Sequence, residues 1–134
     1  MSHPRPPARY FHGGVPGLAP GGRLLPPAET GAEGTTTAAA IELGGAARLD
    51  RVYVTTSRTV ARVYAALLPD GALYEVAPDG ELEPDPDCRV PGASWECPAA
   101  YVVRVVDPVV LMRTRSAEAW VRLMNRATAE AGSA

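Results

Sequence analysis

The chain has 134 residues, a formal net charge of −2, and 46% hydrophobic against 21% charged residues. This length suits one hydrophobic core, and the slightly acidic balance excludes the broad basic field that would draw in nucleic acid or an anionic membrane. The longest apolar run, 99–112, is interrupted by Arg104 and Asp107 and falls short of the roughly 20 residues that cross a bilayer.

Residues 1–8 hold three prolines and no apolar period, which predicts a flexible N-terminal arm ahead of a single domain over 9–131. The start lacks the order of a secretory signal, so a reducing cytoplasm is expected. Arg9-Tyr10-Phe11-His12 reads as a strand running into Gly13-Gly14, a pair with no side chains to keep a flat, amide-bearing ligand at a distance. The stretch 15–40, rich in Gly, Pro, Ala and Thr, reads as a long irregular loop with an extended piece at Arg23-Leu24-Leu25.

Residues 51–56 alternate, with Val52 and Val54 on one face and Tyr53 and Thr55 on the other, as in a half-buried strand whose valines face the core. Ser57 then caps a helix carrying Val60, Val63, Tyr64 and Leu67 at helical spacing, which Pro69-Asp70-Gly71 ends. Ala72 to Val76 is a second strand of this half, Pro78-Asp79-Gly80 a turn, and Ala99 to Val106 a strongly apolar central strand. From Ser116, the stripe Trp120, Leu123, Met124 and Ala127 predicts an amphipathic helix packed on the sheet. Without regular βαβ alternation, the order of elements points to an α+β fold.

Cys88 and Cys97 are too far apart for a metal knuckle, and His3 and His12 are the only imidazoles, so no metal site is expected. A lone histidine is more often structural than catalytic, and the acidic run Glu81 to Asp87 is more often a solvated turn than a site. Two prolines flank Asp85, however, and hold its backbone extended, fixing where the carboxylate points. Among the arginines, Arg113, Arg115, Arg122 and Arg126 form the one local basic cluster, which reads first as a solvated face.

Taken together, the series Tyr10-Phe11-His12-Gly13-Gly14, Leu18-x-Pro20-Gly21-x-x-Leu24, Val52-Tyr53-Val54-Thr55, Leu73-Tyr74-Glu75-Val76-x-Pro78-x-Gly80 and Glu83-x-Asp85-Pro86 resembles the rifamycin ADP-ribosyltransferases over about residues 9 to 106. The resemblance implies a compact split-β-sheet ADP-ribosyltransferase fold with flanking helices, NAD as co-substrate, and transfer of ADP-ribose to a hydroxyl of a rifamycin-like molecule. It implies His12, Tyr53 and Asp85 as the catalytic triad and His12, Gly13, Tyr53 and Thr55 as the NAD contacts.

The chain departs from that pattern where an acceptor would bind. Leu49-Asp50-Arg51 stands in place of an asparagine-histidine pair, the loop after Asp85 is shorter, and Glu96 follows Trp95 where an arginine is expected. Glu96 is therefore the alternative key carboxylate. Glu83, within the Glu81-x-Glu83 pair, ranks below it. Transfer to a protein or nucleic-acid acceptor, and an inactive binding module of the same fold, are the rival readings.

Overall fold

The structure is a computed structural model and describes residues 8–26, 51–85 and 92–133. Most of the N-terminal arm, the larger part of the 15–40 loop and Cys88 lie outside the described residues. Among the described residues, seven strands and two α-helices follow one another as β1 (Tyr10–Gly14), β2 (Arg23–Leu24), β3 (Val52–Val54), α1 (Arg58–Ala66), β4 (Ala72–Asp79), β5 (Glu83–Pro84), β6 (Trp95–Cys97), β7 (Ala99–Asp107) and α2 (Ala117–Ser133). A single 3₁₀ turn, Met112–Thr114, precedes α2. The architecture is α+β, with two antiparallel sheets ordered β1-β4-β7-β2 and β3-β6-β5.

The larger sheet is curled, and its register shows why. Leu73 faces Asp107 but Tyr74 faces Val105, and Glu75 faces Arg104 but Val76 faces Val102. Val106 and Val103 are thus extra residues on β7, and each such bulge bends its strand and sharpens the twist. One face of the curled sheet meets the smaller sheet, where Tyr74, Val76, Ala100 and Val102 pack with Val52, Val54 and Cys97. Phe11 and Leu73, on the other face, pack under Ala61 and Ala65 of α1 and Trp120 of α2.

Local chemistry sets the helix ends. The Ser57 hydroxyl accepts a hydrogen bond from the Val60 amide at 3.1 Å, satisfying one donor that the first turn of α1 would leave open. Pro69 has no amide to continue the helix, and Asp70 turns the chain with φ at +53°. Ser116 caps α2 in the same way, accepting from the Ala119 amide at 3.1 Å. Tyr74 is wholly buried. Its hydroxyl donates to the Val15 carbonyl at 2.6 Å and accepts from the Leu18 amide at 3.2 Å, so the loop leaving β1 is held where that buried oxygen needs partners.

Two strand expectations are corrected, and one strand has no counterpart in the sequence reading. β1 runs through both glycines instead of stopping at His12, because Gly13 and Gly14 pair with Leu73 and Ala72. β4 continues through Pro78 to Asp79, against the expected turn there, and the chain reverses at Gly80 with φ at +98°. That strand is β6, in the middle of the smaller sheet: the three-residue alternation Trp95-Glu96-Cys97 is too short to signal a strand and carries a buried charge-bearing side chain.

Candidate active site at the split between the sheets

Among the described residues the two sheets share one backbone bridge. Phe11 and Thr55 exchange backbone hydrogen bonds, Phe11 N–H to Thr55 O at 2.7 Å and Thr55 N–H to Phe11 O at 3.0 Å. Beyond it β1 and β3 part, and the gap is spanned by a side chain: His12 Nδ1 lies 2.7 Å from the Tyr53 carbonyl oxygen. A carbonyl only accepts, so Nδ1 carries the proton and Nε2 keeps its lone pair. Burial holds the His12 imidazole below its ordinary pKa, partly offset by this hydrogen bond, so the ring is neutral near pH 7.

A narrow cleft opens beside this contact. Tyr53, Thr55 and Ser94 form its polar wall, Phe11 and Gly13 its β1 side, and Ala61 and Tyr64 of α1 cover it. Along an antiparallel strand, alternate residues turn their N–H and C=O to the same edge. Phe11 faces Thr55, so the peptide groups of Gly13, two residues on, are directed to the same edge and toward the gap. The cavity measures about 10 Å³, at the limit for one water.

The expectation that Gly13-Gly14 leaves bare backbone for a ligand is corrected in part. A methyl group on Gly13 would overlap the Ala61 carbonyl oxygen and lie 2.5 Å from the Ala65 nitrogen, and one on Gly14 would lie 2.5 Å from His12 Nε2. The space above Gly13 belongs to α1 and that above Gly14 to the imidazole; the edge of the strand, not its face, borders the cleft.

His12, Gly13, Tyr53 and Thr55, the four expected cofactor contacts, thus surround one cleft. Asp85 does not line it. In the smaller sheet Tyr53 stands opposite Glu96, and Glu96 opposite Glu83. Directly opposed residues present their side chains to one face, so Tyr53, Glu96 and Glu83 form a row across the sheet, with Val52, Val54 and Cys97 turned to the core. The Asp85 amide donates to the Ser94 carbonyl at 3.1 Å, which extends the pairing by one residue and puts Asp85 on the polar face too.

Asp85 is 6% exposed and Glu96 2% exposed, both far drier than a solvated acidic turn would be. They differ in reach. Glu96 is on the strand next to Tyr53, whereas Asp85 is two strands away, roughly 9–10 Å at the usual strand spacing. Thr55 is fixed in place by its hydroxyl, which donates to the Ala93 carbonyl at 2.6 Å and accepts from the Ser57 amide at 3.0 Å. Ser94 and Tyr64 were not singled out from sequence. Ser94 carries no signal in the sequence, while Tyr64 reads there as part of the apolar stripe of α1.

Among the described residues no group of three or more His, Cys, Asp and Glu side chains could hold a metal ion, and no helix is long and apolar enough to cross a membrane. No protein-family model matches the chain, and no curated protein is significantly similar to it.

Proposed function

We propose that this chain is an NAD-dependent ADP-ribosyltransferase of split-sheet fold whose acceptor is a hydroxyl of a rifamycin-like small molecule. The observation that carries the reading is the gap after the Phe11–Thr55 bridge, closed by the His12 Nδ1 to Tyr53 carbonyl bond and bordered by the Gly13 strand edge. In this reading the nicotinamide carboxamide lies along the Gly13 side of the cleft. Tyr53 supplies a ring to stack on the nicotinamide, and neutral His12 a lone pair at Nε2 for a ribose hydroxyl.

In the reaction the bond between ribose C1 and the nicotinamide nitrogen breaks, its electron pair leaving with nicotinamide. The acceptor oxygen then bonds to C1, and its proton is taken up by a base. The sugar passes through an oxocarbenium-like state, which a nearby carboxylate stabilises electrostatically. Asp85 is the residue the family resemblance assigns to this role. Glu96 is the second reading, favoured by its place directly opposite Tyr53.

The cleft as folded admits about one water, while cofactor sites run to roughly 300–1,000 Å³, so binding requires the cleft to widen. The test is to incubate the purified protein with NAD and rifampicin and weigh the drug by mass spectrometry. Drug carrying one ADP-ribose, made by wild type and Glu96→Gln but not by Asp85→Ala, supports the first assignment. The reverse pattern moves the carboxylate role to Glu96. NAD consumption without drug adduct redirects the acceptor to protein or nucleic acid, and neither product leaves a binding module.

A further inference from the structure

Phe11 borders the cleft from the face of the larger sheet that carries α1. Two guanidinium groups lie over its ring, Arg9 at 5.5 Å and Arg58 at 5.3 Å from the centroid, close enough for attraction to the ring quadrupole. The row across the sheet continues from Phe11 to Glu75 on β4 and from Glu75 to Arg104 on β7. Glu75 Oε1 accepts from both Arg9, at 2.5 Å, and Arg104, at 2.9 Å.

Among the described residues the charges beside this ring do not balance. One carboxylate, Glu75, is shared by two arginines, and Arg58 has no ion pair among the described residues. Among the described residues these three arginines therefore share one carboxylate, an excess of two positive charges. Further along α1, by contrast, Arg62 is neutralised by Asp107 at 2.6 Å. Holding like charges together is unfavourable unless an anion offsets them, and planar guanidinium groups match phosphate oxygens in geometry as well as charge.

We propose that Arg9 and Arg58, over the Phe11 ring beside the cleft, together with Arg104 on the far side of Glu75, form a subsite for the diphosphate of a nucleotide. A diphosphate diester carries two negative charges, equal to the excess. The identity of the rest of the ligand rests on the NAD reading above: the nicotinamide end enters between Gly13 and Tyr53, and the diphosphate stays outside over Phe11. All three side chains are exposed, so substituting them leaves the core intact.

Calorimetric titration of the full chain with ADP-ribose, inorganic pyrophosphate and nicotinamide tests the subsite, using Arg58→Gln and Arg9→Gln/Arg58→Gln. The expected result is that ADP-ribose and pyrophosphate bind wild type and weaken about tenfold or more in the double variant, the loss of charge-assisted hydrogen bonds. Nicotinamide affinity stays unchanged. In turnover, Arg58→Gln raises KM for NAD with little change in kcat. Failure of ADP-ribose to bind wild type, or equal affinity in wild type and double variant, overturns the subsite. The two readings separate cleanly. Arginine-dependent ADP-ribose binding without NAD consumption upholds the subsite and removes the transferase, whereas NAD consumption at unchanged KM in the double variant does the opposite.

Discussion

Gly13 and Gly14 are adjacent on β1 but serve different neighbours. Gly13 is pressed against the backbone of α1, which cannot yield, while Gly14 lies under an imidazole that can rotate. Gly13→Ala should therefore cost about 3 kcal/mol as α1 is lifted from β1, read from urea denaturation. Gly14→Ala should cost less than about 1 kcal/mol, yet it displaces the ring from the Tyr53 carbonyl. The imidazole pKa followed by NMR would then move away from its wild-type value; an unmoved pKa would mean the ring does not rest on Gly14. His12 also links the site to stability. Its folded pKa lies below the ordinary value because burial disfavours the charged form. As pH falls through about 6.5 the unfolded chain takes up a proton before the folded one does. The contribution is thus complete above that pH and declines as pH drops toward the folded pKa. Urea midpoints at pH 7.5 and 5.5 should differ more in wild type than in His12→Gln, and equal differences would show that His12 is not responsible. These residues were legible in the sequence as candidates; their geometry was not, because nothing in a Gly-Gly pair tells whether a ligand or a helix fills the space it leaves.

At the level of elements, the helices were the easiest to read. Ser57 and Ser116 both cap where a hydroxyl precedes an apolar period, and Ser57→Ala should cost about 1 kcal/mol by the same denaturation measurement. β6 was hidden because three residues make too short an alternation, and Glu96 at its centre reads as solvent-facing. The burial of Glu96 depends on the smaller sheet having a covered polar face, a tertiary fact. β6 also carries Cys97, whose thiol is buried, approaches the Ala99 carbonyl at 3.2 Å, and is pushed up to about 11 chiefly by desolvation. A thiol with so little thiolate is a poor nucleophile. In a Cys88→Ser protein, Cys97 should stay unreactive to a thiol reagent such as Ellman's at pH 8 until urea unfolds the chain. Prompt labelling of the folded protein would place Cys97 at an open surface.

The described residues form a curled sheet with helices on one face and a small sheet on the other, and the candidate site lies beside the bridge between the two sheets. β4 and β7 pair along most of their length, whereas among the described residues β1 and β3 share a single backbone bridge, Phe11–Thr55, with the His12 contact beside it. Such a join opens at lower free energy than a central ladder, and a cleft that holds one water must open to take a nicotinamide ring. The Phe11 and Thr55 amides should accordingly exchange hydrogen faster than the Val76 and Val102 amides in the free protein. Saturating NAD should slow both, because a ligand bound across the gap must dissociate before the sheets can part, and Tyr53→Ala should weaken that protection by weakening binding. Hydrogen exchange followed by NMR resolves these amides individually. If NAD slows exchange elsewhere while Phe11 and Thr55 are unaffected, the nucleotide does not bind at the split, and the reading of this cleft as an active site fails with it.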